Sequence, residues 1–313
     1  MNNSKAILDT IEILEEAEQK FGIKKFYACV SGGKDSITSA DVVDKLGKLT
    51  GVIFIDTTIG IQETKDFVVD LCKKRGWDLI ILKPKVSYDE FVINKFGFPT
   101  ARFHNVVMGF LKYHPLRRFV IEHKEEKIGL ISGVRKFESN RRGRTMKPII
   151  KDGSMIFVAP IFHLKTEEVW GYIKENNLEV SPVYRKLHLS GDCMCGAFSD
   201  IGEAELISMF YPEIAQRIRK LENLIKDKVR CILCGDVKIY KKKNKRRCPV
   251  RFTHKWRFFK YCKWGNQSSM SGAINQSRMD KFVCADCQIS NSEVTNDGLP
   301  PTPEGVGIRP TIL

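Results

Sequence analysis

The sequence has little acidic charge and no long apolar run. No apolar stretch approaches the ~20 residues that a membrane-spanning helix needs, which excludes a helical membrane protein. Asp and Glu number 37 against 52 Lys and Arg in 313 residues, so the formal net charge is +15. The first residues form an amphipathic, acid-containing pattern that does not resemble a secretory signal. We therefore expect a soluble, cytoplasmic protein with no membrane partner.

Cysteine is nearly absent from the first 190 residues, which contain only Cys29 and Cys72. The other eight cysteines lie between Cys193 and Cys287. Residues 231–313 also contain 15 basic and 6 acidic residues, a clear shift in charge. We predict a first domain at residues 1–230, followed at 231–313 by a basic, cysteine-rich region with an extended tail. In a reducing cytoplasm, closely spaced cysteines are more often metal ligands than disulfides.

Short apolar segments alternate with helical patterns over the first 225 residues. Strands are predicted at 25–30, 51–56, 79–82, 128–134 and 155–158, and helices at 36–46, 62–75, 105–124, 166–177 and 203–227. Pro115 is expected to break its helix, and Thr166 is expected to cap the start of another. The alternation predicts an α/β fold with a mostly parallel sheet and helices on both faces.

The most informative segment is the phosphate loop, residues 31–36, with the sequence Ser-Gly-Gly-Lys-Asp-Ser between a strand and a helix. Two glycines let the backbone approach a ligand closely. The helix that follows offers N–H groups and a positive dipole end to an anion. The kinase-type pattern G-x-x-x-x-G-K-[ST] is absent. Taken alone, the segment is also compatible with an ordinary strand-to-helix turn.

Three later segments occur in order after the phosphate loop. They are GVIFIDT with QET in 51–64, GVR with ES and a further arginine in 133–142, and P-I, TEEVW, NN and PVY in 160–184. Together the four segments resemble the PP-loop ATP pyrophosphatases, in the branch of the sulfonucleotide (PAPS) reductases. The resemblance covers about residues 20–225 and implies an adenine nucleotide alpha hydrolase-like fold.

The resemblance implies a site for ATP and Mg²⁺ at the carboxyl ends of the strands. Within it, the pyrophosphate would be held by Ser31, Gly32, Gly33, Lys34, Asp35 and Ser36. Asp56 would face Mg²⁺ or the ribose, Thr57 would lie beside the adenosine, and Gly133 and Arg135 would adjoin the phosphate. The predicted catalytic residues are Lys34, Asp35 and Arg135. Arg142 and Arg144 are further candidates unless they are solvated surface residues, and Glu138 is expected to orient Arg135.

The reductases of this branch carry a C-G-x-H cysteine motif that the sequence lacks, since neither Cys195-Gly196 nor Cys234-Gly235 is followed by the histidine. The first hypothesis is therefore an ATP pyrophosphatase that adenylates a nucleic-acid group for sulfur incorporation, as in DNA phosphorothioation or tRNA thiolation, with a cysteine desulfurase as sulfur donor. One alternative is a PAPS or APS reductase that uses Cys193 or Cys195. The other is a non-catalytic nucleotide- and nucleic-acid-binding module of a CRISPR-associated defence complex.

The carboxyl-terminal cysteines form two C-x₂-C pairs, Cys231 with Cys234 and Cys284 with Cys287. Four thiolates arranged in this way are typical of a zinc site. Cys193 and Cys195 are candidate ligands of an iron–sulfur cluster instead, because such clusters also require thiolates. Buried thiols without a metal are the third interpretation.

Residues 237–263 contain 12 Lys and Arg and no acidic residue, with aromatic residues interleaved up to Trp264. Basic side chains neutralise phosphates, and aromatic rings stack on bases. We therefore predict that 237–264 binds nucleic acid, the alternative being a solvated charged face.

Overall fold

The computed structural model describes residues 3–99, 104–138, 146–199, 202–225 and 264–265. The predicted boundary near residue 230 lies outside the described residues. So do Arg142 and Arg144, both C-x₂-C pairs and the basic segment up to residue 263. These predictions therefore stay predictions.

Strands and helices alternate along the described residues. The first half contains α1 (Asn3–Phe21), β1 (Lys25–Cys29), α2 (Lys34–Lys45), β2 (Leu49–Ile55), α3 (Gln62–Arg75), β3 (Leu79–Leu82), α4 (Tyr88–Phe91), α5 (His104–Met108) and α6 (His114–Glu122). π-helical turns at Val92–Phe96 and Gly109–Tyr113 follow α4 and α5. The second half contains β4 (Ile128–Ile131), β5 (Ile149–Asp152), β6 (Met155–Val158), α7 (Thr166–Glu175), α8 (Pro182–Leu187), α9 (Glu203–Phe210) and α10 (Pro212–Ile225). No helix among the described residues is long and apolar enough to cross a membrane.

The six strands form one sheet in the order β3-β2-β1-β4-β6-β5. All neighbouring pairs are parallel except β5 and β6, which are antiparallel. The predicted α/β fold is confirmed. The chain leaves β1 towards β2 on one side and later returns to β4 on the other. The carboxyl ends of β1 and β4 therefore meet where the strand order reverses, which is where open α/β sheets bind ligands.

Helices cover both faces of the sheet because consecutive strand residues enter different cores. Phe26 and Ala28 of β1 pack in the first core with α1, α2, α3 and α7. Tyr27, between them, packs with Leu116 and Phe119 of α6 on the other face. Burying a side chain of this size contributes roughly 1.5–3 kcal/mol. The near-continuous apolar strands of the sequence are thus explained by burial on both faces.

A second core lies beyond the carboxyl end of β2 and is built mainly from helices. Ile59 and Ile61 follow β2 and pack with apolar residues of α4, α5, α8, α9 and α10. Met194 and Cys195 are buried in the same core. Trp264 also belongs to it, although this residue follows the boundary predicted from composition.

Two predicted helices differ from the structure. The helix predicted at 105–124 is interrupted next to Pro115, because this residue lies in the first turn of α6, where it has no N–H to donate to the preceding turn. The irregularity lies before it, in the π-helical turn Gly109–Tyr113. The predicted helix at 203–227 is two helices that separate at Tyr211, since a residue before proline disfavours the helical conformation. The short strand β5 has only two apolar residues and was not predicted.

Candidate functional site

The phosphate loop joins the carboxyl end of β1 to the first turn of α2. Gly32 has a φ of +87°, and Gly33 is the N-cap residue of the helix. The Ser36 hydroxyl donates to the Gly33 carbonyl (2.9 Å) and accepts from the Ser31 backbone N–H (3.2 Å). Ser36 therefore closes the loop, while no side chain caps the start of this 12-residue helix in the described structure. The loop presents the positive end of the helix, an arrangement that favours an anion.

Gly133 lets the loop after β4 lie directly against the phosphate loop. A Cβ at this position would stand 2.7 Å from the Asp35 carbonyl carbon and 2.7 Å from the Ser36 nitrogen. Both atoms are backbone at the start of α2, so neither can move without moving the phosphate loop. The glycine of the predicted G-x-R segment is thus required by close approach of two backbones.

We expect Gly133→Ala to displace the phosphate loop and to lower both nucleotide affinity and stability. Overpacking of this kind typically costs about 1–3 kcal/mol. Gly171→Ala is the matched control, because Gly171 lies within α7 and a Cβ there meets nothing within 4 Å. That control should raise the free energy of unfolding by about 0.5–1 kcal/mol and leave binding unchanged. If a titration gave the two variants equal nucleotide affinity, the contact of Gly133 with the nucleotide-binding loop would be contradicted.

Arg135 binds Asp35 and is almost completely buried, with 1% of its surface exposed. Its Nε donates to the Asp35 carboxylate at 2.7 Å. Its Nη1 donates to the Leu164 carbonyl (3.4 Å) and to the Thr166 hydroxyl (3.2 Å). Thr166 is therefore a partner of Arg135, and the prediction that it caps α7 is wrong, because the N-cap residue is Lys165. These contacts tie the loops after β4 and β6 to the phosphate loop.

Lys34 projects from the first residue of α2 towards α8. Its Nζ donates to the Tyr184 hydroxyl at 3.0 Å and lies 3.5 Å from the Asp35 carboxylate. Lys34 is 7% exposed. The structure thus brings together Lys34, Asp35 and Arg135, the three predicted catalytic residues, as one linked group at the phosphate loop, to which the first two belong.

Asp56 and Thr57 lie at the carboxyl end of β2. The Asp56 carboxylate is 3.0 Å from Lys65 Nζ and 3.5 Å from Lys83 Nζ, and it accepts from the Thr58 N–H. Burial alone would raise the pKa of Asp56, but these hydrogen bonds and the two lysine charges hold it below its usual value. The Thr57 hydroxyl is fully buried and donates to the Asp192 carbonyl at 2.6 Å. Asp56 therefore lies at the carboxyl edge of the sheet, whereas the Thr57 hydroxyl binds a neighbouring segment of the chain.

That neighbouring segment is the cysteine turn, residues 190–196. It packs against the phosphate loop and against the loop between β2 and α3. The Ile61 N–H donates to the Gly191 carbonyl (2.8 Å), and the Met194 N–H donates to the Ile59 carbonyl (3.3 Å). Thr64 of α3 donates to the Ser190 carbonyl (2.8 Å). A Cβ on Gly33 would lie 3.3 Å from the Ser190 Cβ, so the turn adjoins the phosphate loop itself.

Cys193 and Cys195 lie beside a partly buried ion pair between Lys112 and Asp192. The pKa of the Cys193 thiol is lowered by a hydrogen bond from the Cys195 thiol and by the charge of Lys112, against the effect of burial. The pKa of Cys195 is raised because its thiol donates that hydrogen bond and is buried. Burial also raises the pKa of Cys29 to about 12. Cys193 is therefore the thiol of this group that ionises most readily.

Mg²⁺ and a metal on the cysteines fit the described residues to different degrees. Asp35 and Asp56 are each paired with cations, so their carboxylates do not form a ready Mg²⁺ site. Mg²⁺ would instead have to be held through the nucleotide. Cys193 and Cys195 can supply two of the four thiolates that zinc or an iron–sulfur cluster needs. Within the described parts of the chain, no group of three or more His, Cys, Asp or Glu residues is placed to hold a metal ion.

Sequence reasoning missed two residues that the fold brings to this edge of the sheet. Lys112 lies on the π-helical turn before α6, and its only signal was a charge in an apolar helical run. Asp192 stands between Gly191 and Cys193 without a recognisable pattern. Both residues reach the site through contacts between distant parts of the chain. A π-helical turn is a frequent feature of functional sites, and here it carries the lysine.

Comparison with known proteins now identifies this fold. Residues 25–209 match the phosphoadenosine phosphosulfate reductase domain family. The chain belongs to this family. It is a PP-loop protein of the PAPS reductase-like branch, as the sequence motifs predicted, in a superfamily of enzymes that use nucleotides. The match includes the phosphate loop, Arg135 and the cysteine turn, whereas α10 and all later residues lie beyond it.

Relatives of known sequence include both uncharacterised proteins and reductases. The chain is 30% identical over 209 residues to the uncharacterised protein MJ0066 of Methanocaldococcus jannaschii, covering 65% of this chain and 42% of that protein. It is 28% identical over 185 residues to adenosine 5'-phosphosulfate reductase 2 of Bacillus subtilis, covering 58% and 74%. A second M. jannaschii protein, MJ0973, matches at 31% over 223 residues. The chain spans about half or less of the two archaeal proteins, 42% and 52% of their lengths.

Solved structures with a similar fold include two fungal enzymes. The phosphoadenylyl-sulfate reductase of Candida auris, in a phosphate complex, has 22% identity and a TM-score of 0.42, covering 56% of this chain and 83% of that one. The FMN adenylyltransferase of Candida glabrata, with FMN and an ATP analogue, has 17% identity and a TM-score of 0.43, covering 58% and 60%.

Proposed function

We propose that this chain is an adenine nucleotide enzyme in which Cys193 attacks a sulfur carried by the nucleotide, reducing a sulfonucleotide such as APS or PAPS. The placement of the cysteine turn against the phosphate loop is the observation that carries the proposal. Ser190 of this turn lies against the loop that would hold the nucleotide phosphate, and three residues later the turn carries Cys193, the one thiol among the described cysteines whose pKa is lowered. The curated relatives that are named as APS reductases support the same substrate class.

The two thiols of the turn together supply the two electrons that the reduction requires. The Cys193 thiolate attacks the sulfonate sulfur, the S–O bond breaks, and the nucleotide phosphate leaves with the electron pair of that bond. The Cys195 thiol then attacks the Cys193 sulfur and loses its proton, releasing sulfite and forming a disulfide. An external dithiol reduces this disulfide and closes the cycle. No C-G-x-H cysteine is needed if the turn supplies both sulfurs.

The surrounding charges suit each of these steps. Lys112 stabilises the thiolate that attacks, and its partner Asp192 holds it within the cysteine turn. The amino end of α2 and Lys34 would bind the phosphate that leaves with a new negative charge. Hydrogen-bond donors that are already in place where negative charge develops in the transition state usually make the largest contribution to catalysis. We assign Arg135 a positioning role, because its Nε is engaged by Asp35.

The second candidate is an ATP pyrophosphatase that adenylates a nucleic-acid group for sulfur incorporation. The complete phosphate loop and the missing C-G-x-H motif favour it. The lysines around Asp56 would also suit the larger charge of ATP. Its nucleic-acid substrate would bind through 237–264, and a non-catalytic nucleic-acid module would use the same segment.

One experiment separates these functions. The purified chain is incubated with APS, PAPS or ATP, each with and without DNA or RNA and with dithiothreitol as the dithiol, and sulfite and pyrophosphate are measured. We expect sulfite from a sulfonucleotide and no pyrophosphate from ATP. Pyrophosphate without sulfite would favour the second candidate, and neither product would favour a binding module.

A further inference from the structure

Trp264 contacts the cysteine turn, although it lies almost 70 residues further along the chain. Its indole N–H donates to the Met194 carbonyl at 2.8 Å, between the two cysteines. Its own backbone N–H donates to the Glu222 carboxylate of α10 at 3.0 Å. Trp264 is 8% exposed and belongs to the second core. A residue beyond the family match is thus anchored on the turn that carries both thiols.

Gly196 lies directly against the indole ring of Trp264. A Cβ at this position would lie 2.5 Å from the indole nitrogen and 2.7 Å from two ring carbons. Gly196 also has a φ of +76°, a conformation that other residues adopt at a cost. The turn therefore ends in the one residue type that allows the tryptophan to approach.

Trp264 holds the backbone of residues 194–195 together with Ile59 and Tyr88. The Met194 N–H is bound by the Ile59 carbonyl, and the Cys195 carbonyl accepts from the Tyr88 hydroxyl at 2.8 Å. Ile59 and Tyr88 belong to the matched domain, whereas Trp264 does not. Without the indole, the Met194 carbonyl would lose its partner in a buried place, which destabilises the observed conformation.

We propose that Trp264 is a positioning residue for the cysteine turn, and that its indole N–H fixes the Met194 carbonyl so that the turn that carries Cys193 stays packed against the phosphate loop. The proposal rests on the proposed function only in taking Cys193 as the reacting thiol. The segment after the matched domain thereby completes the site. Cys193 is half-buried in the observed turn, and loss of the indole lets the turn open and exposes this thiol more fully.

The test is the rate at which iodoacetamide labels Cys193 in the full chain, mapped by mass spectrometry at one fixed pH. Trp264→Phe keeps a ring but loses the N–H, and we expect labelling roughly fivefold faster, the effect of one hydrogen bond on an opening equilibrium. For Trp264→Ala we expect an increase on the order of tenfold or more, because packing is lost too. Gly196→Ala should have an effect similar to that of Trp264→Ala, and the two changes together should be less than additive.

Trp77→Phe is the matched control. Trp77 is 7% exposed in the first core, and its indole nitrogen has no hydrogen-bond partner in the part of the chain that the structure describes. This variant should label Cys193 at the wild-type rate. The proposal would be overturned if both Trp264 variants labelled Cys193 at the wild-type rate, or if no protein were labelled at all. It would also be overturned if Trp77→Phe accelerated the labelling as much as the Trp264 variants do. Because labelling measures no turnover, this outcome is independent of whether sulfite or pyrophosphate is released.

Discussion

Cys193→Ser is expected to abolish sulfite release from APS or PAPS while leaving nucleotide binding intact. A serine hydroxyl at this position is not ionised by Lys112 or by the Cys195 thiol, and it is a far weaker nucleophile than a thiolate. We expect a loss in rate on the order of 10³ or more. Sulfite is measured under excess dithiol, and nucleotide affinity is measured by titration calorimetry on the same preparation.

Two further cysteine variants sharpen this result. Without added dithiol, Cys195→Ser should permit one attack and stop there, so that one nucleotide is released per chain and the sulfonate stays on Cys193, whereas the unmodified chain also releases one sulfite. Cys72→Ser is the control, because Cys72 lies in the first core and burial raises the pKa of its thiol to about 11. It should retain full activity. Normal sulfite release by Cys193→Ser would exclude the proposed nucleophile, whereas ATP-dependent pyrophosphate release that this variant retains would favour the pyrophosphatase.

The sheet could be predicted from the sequence because its signals are local. Helix α3 and strands β3 and β6 have the predicted bounds, since apolar runs of strand length and helical periodicity mark them directly. The phosphate loop is equally local, because two glycines and the first turn of α2 form it within six residues. Proline positions were harder to interpret, since a proline can either end a helix or start one. Pro115 and Pro212 both occupy the first turn of a helix.

The partners of the site residues could not be predicted in the same way. Arg135 was expected beside the phosphate, but its guanidinium spans about 100 residues of sequence to Asp35 and a further 31 to Thr166. Thr57 was expected to lie beside the adenosine, and its hydroxyl binds the cysteine turn. The Arg135 contacts depend on how α2 and α7 pack together in the first core, and the Thr57 contact depends on how the second core packs against the sheet. Periodicity encodes neither arrangement. Trp264 shows the same limit, since composition placed it in a separate region.

Removing the Arg135 guanidinium is expected to have the largest effect on stability. Arg135→Met leaves the Asp35 carboxylate, the Leu164 carbonyl and the Thr166 hydroxyl without their donor. Breaking a buried ion pair from one side costs about 3–5 kcal/mol, and we expect about 3 kcal/mol, because Asp35 is 20% exposed and Lys34 remains 3.5 Å away. Nucleotide affinity should fall as well, since the pair holds the first turn of α2. Urea unfolding and titration calorimetry measure the two effects.

A double-mutant cycle with Asp35→Asn decides whether the pair acts as a unit. If the charges are coupled, Arg135→Met combined with Asp35→Asn is less destabilised than the sum of the single variants, because the unpaired charge is gone. Lys74→Ala is the control for a salt bridge at the surface, since Lys74 and Glu179 are 60% and 55% exposed, and it should cost less than about 1 kcal/mol. Strict additivity of the two site variants would mean that Arg135 acts through Leu164 and Thr166 alone. In that case the loop after β6, rather than the phosphate loop, is what the arginine holds.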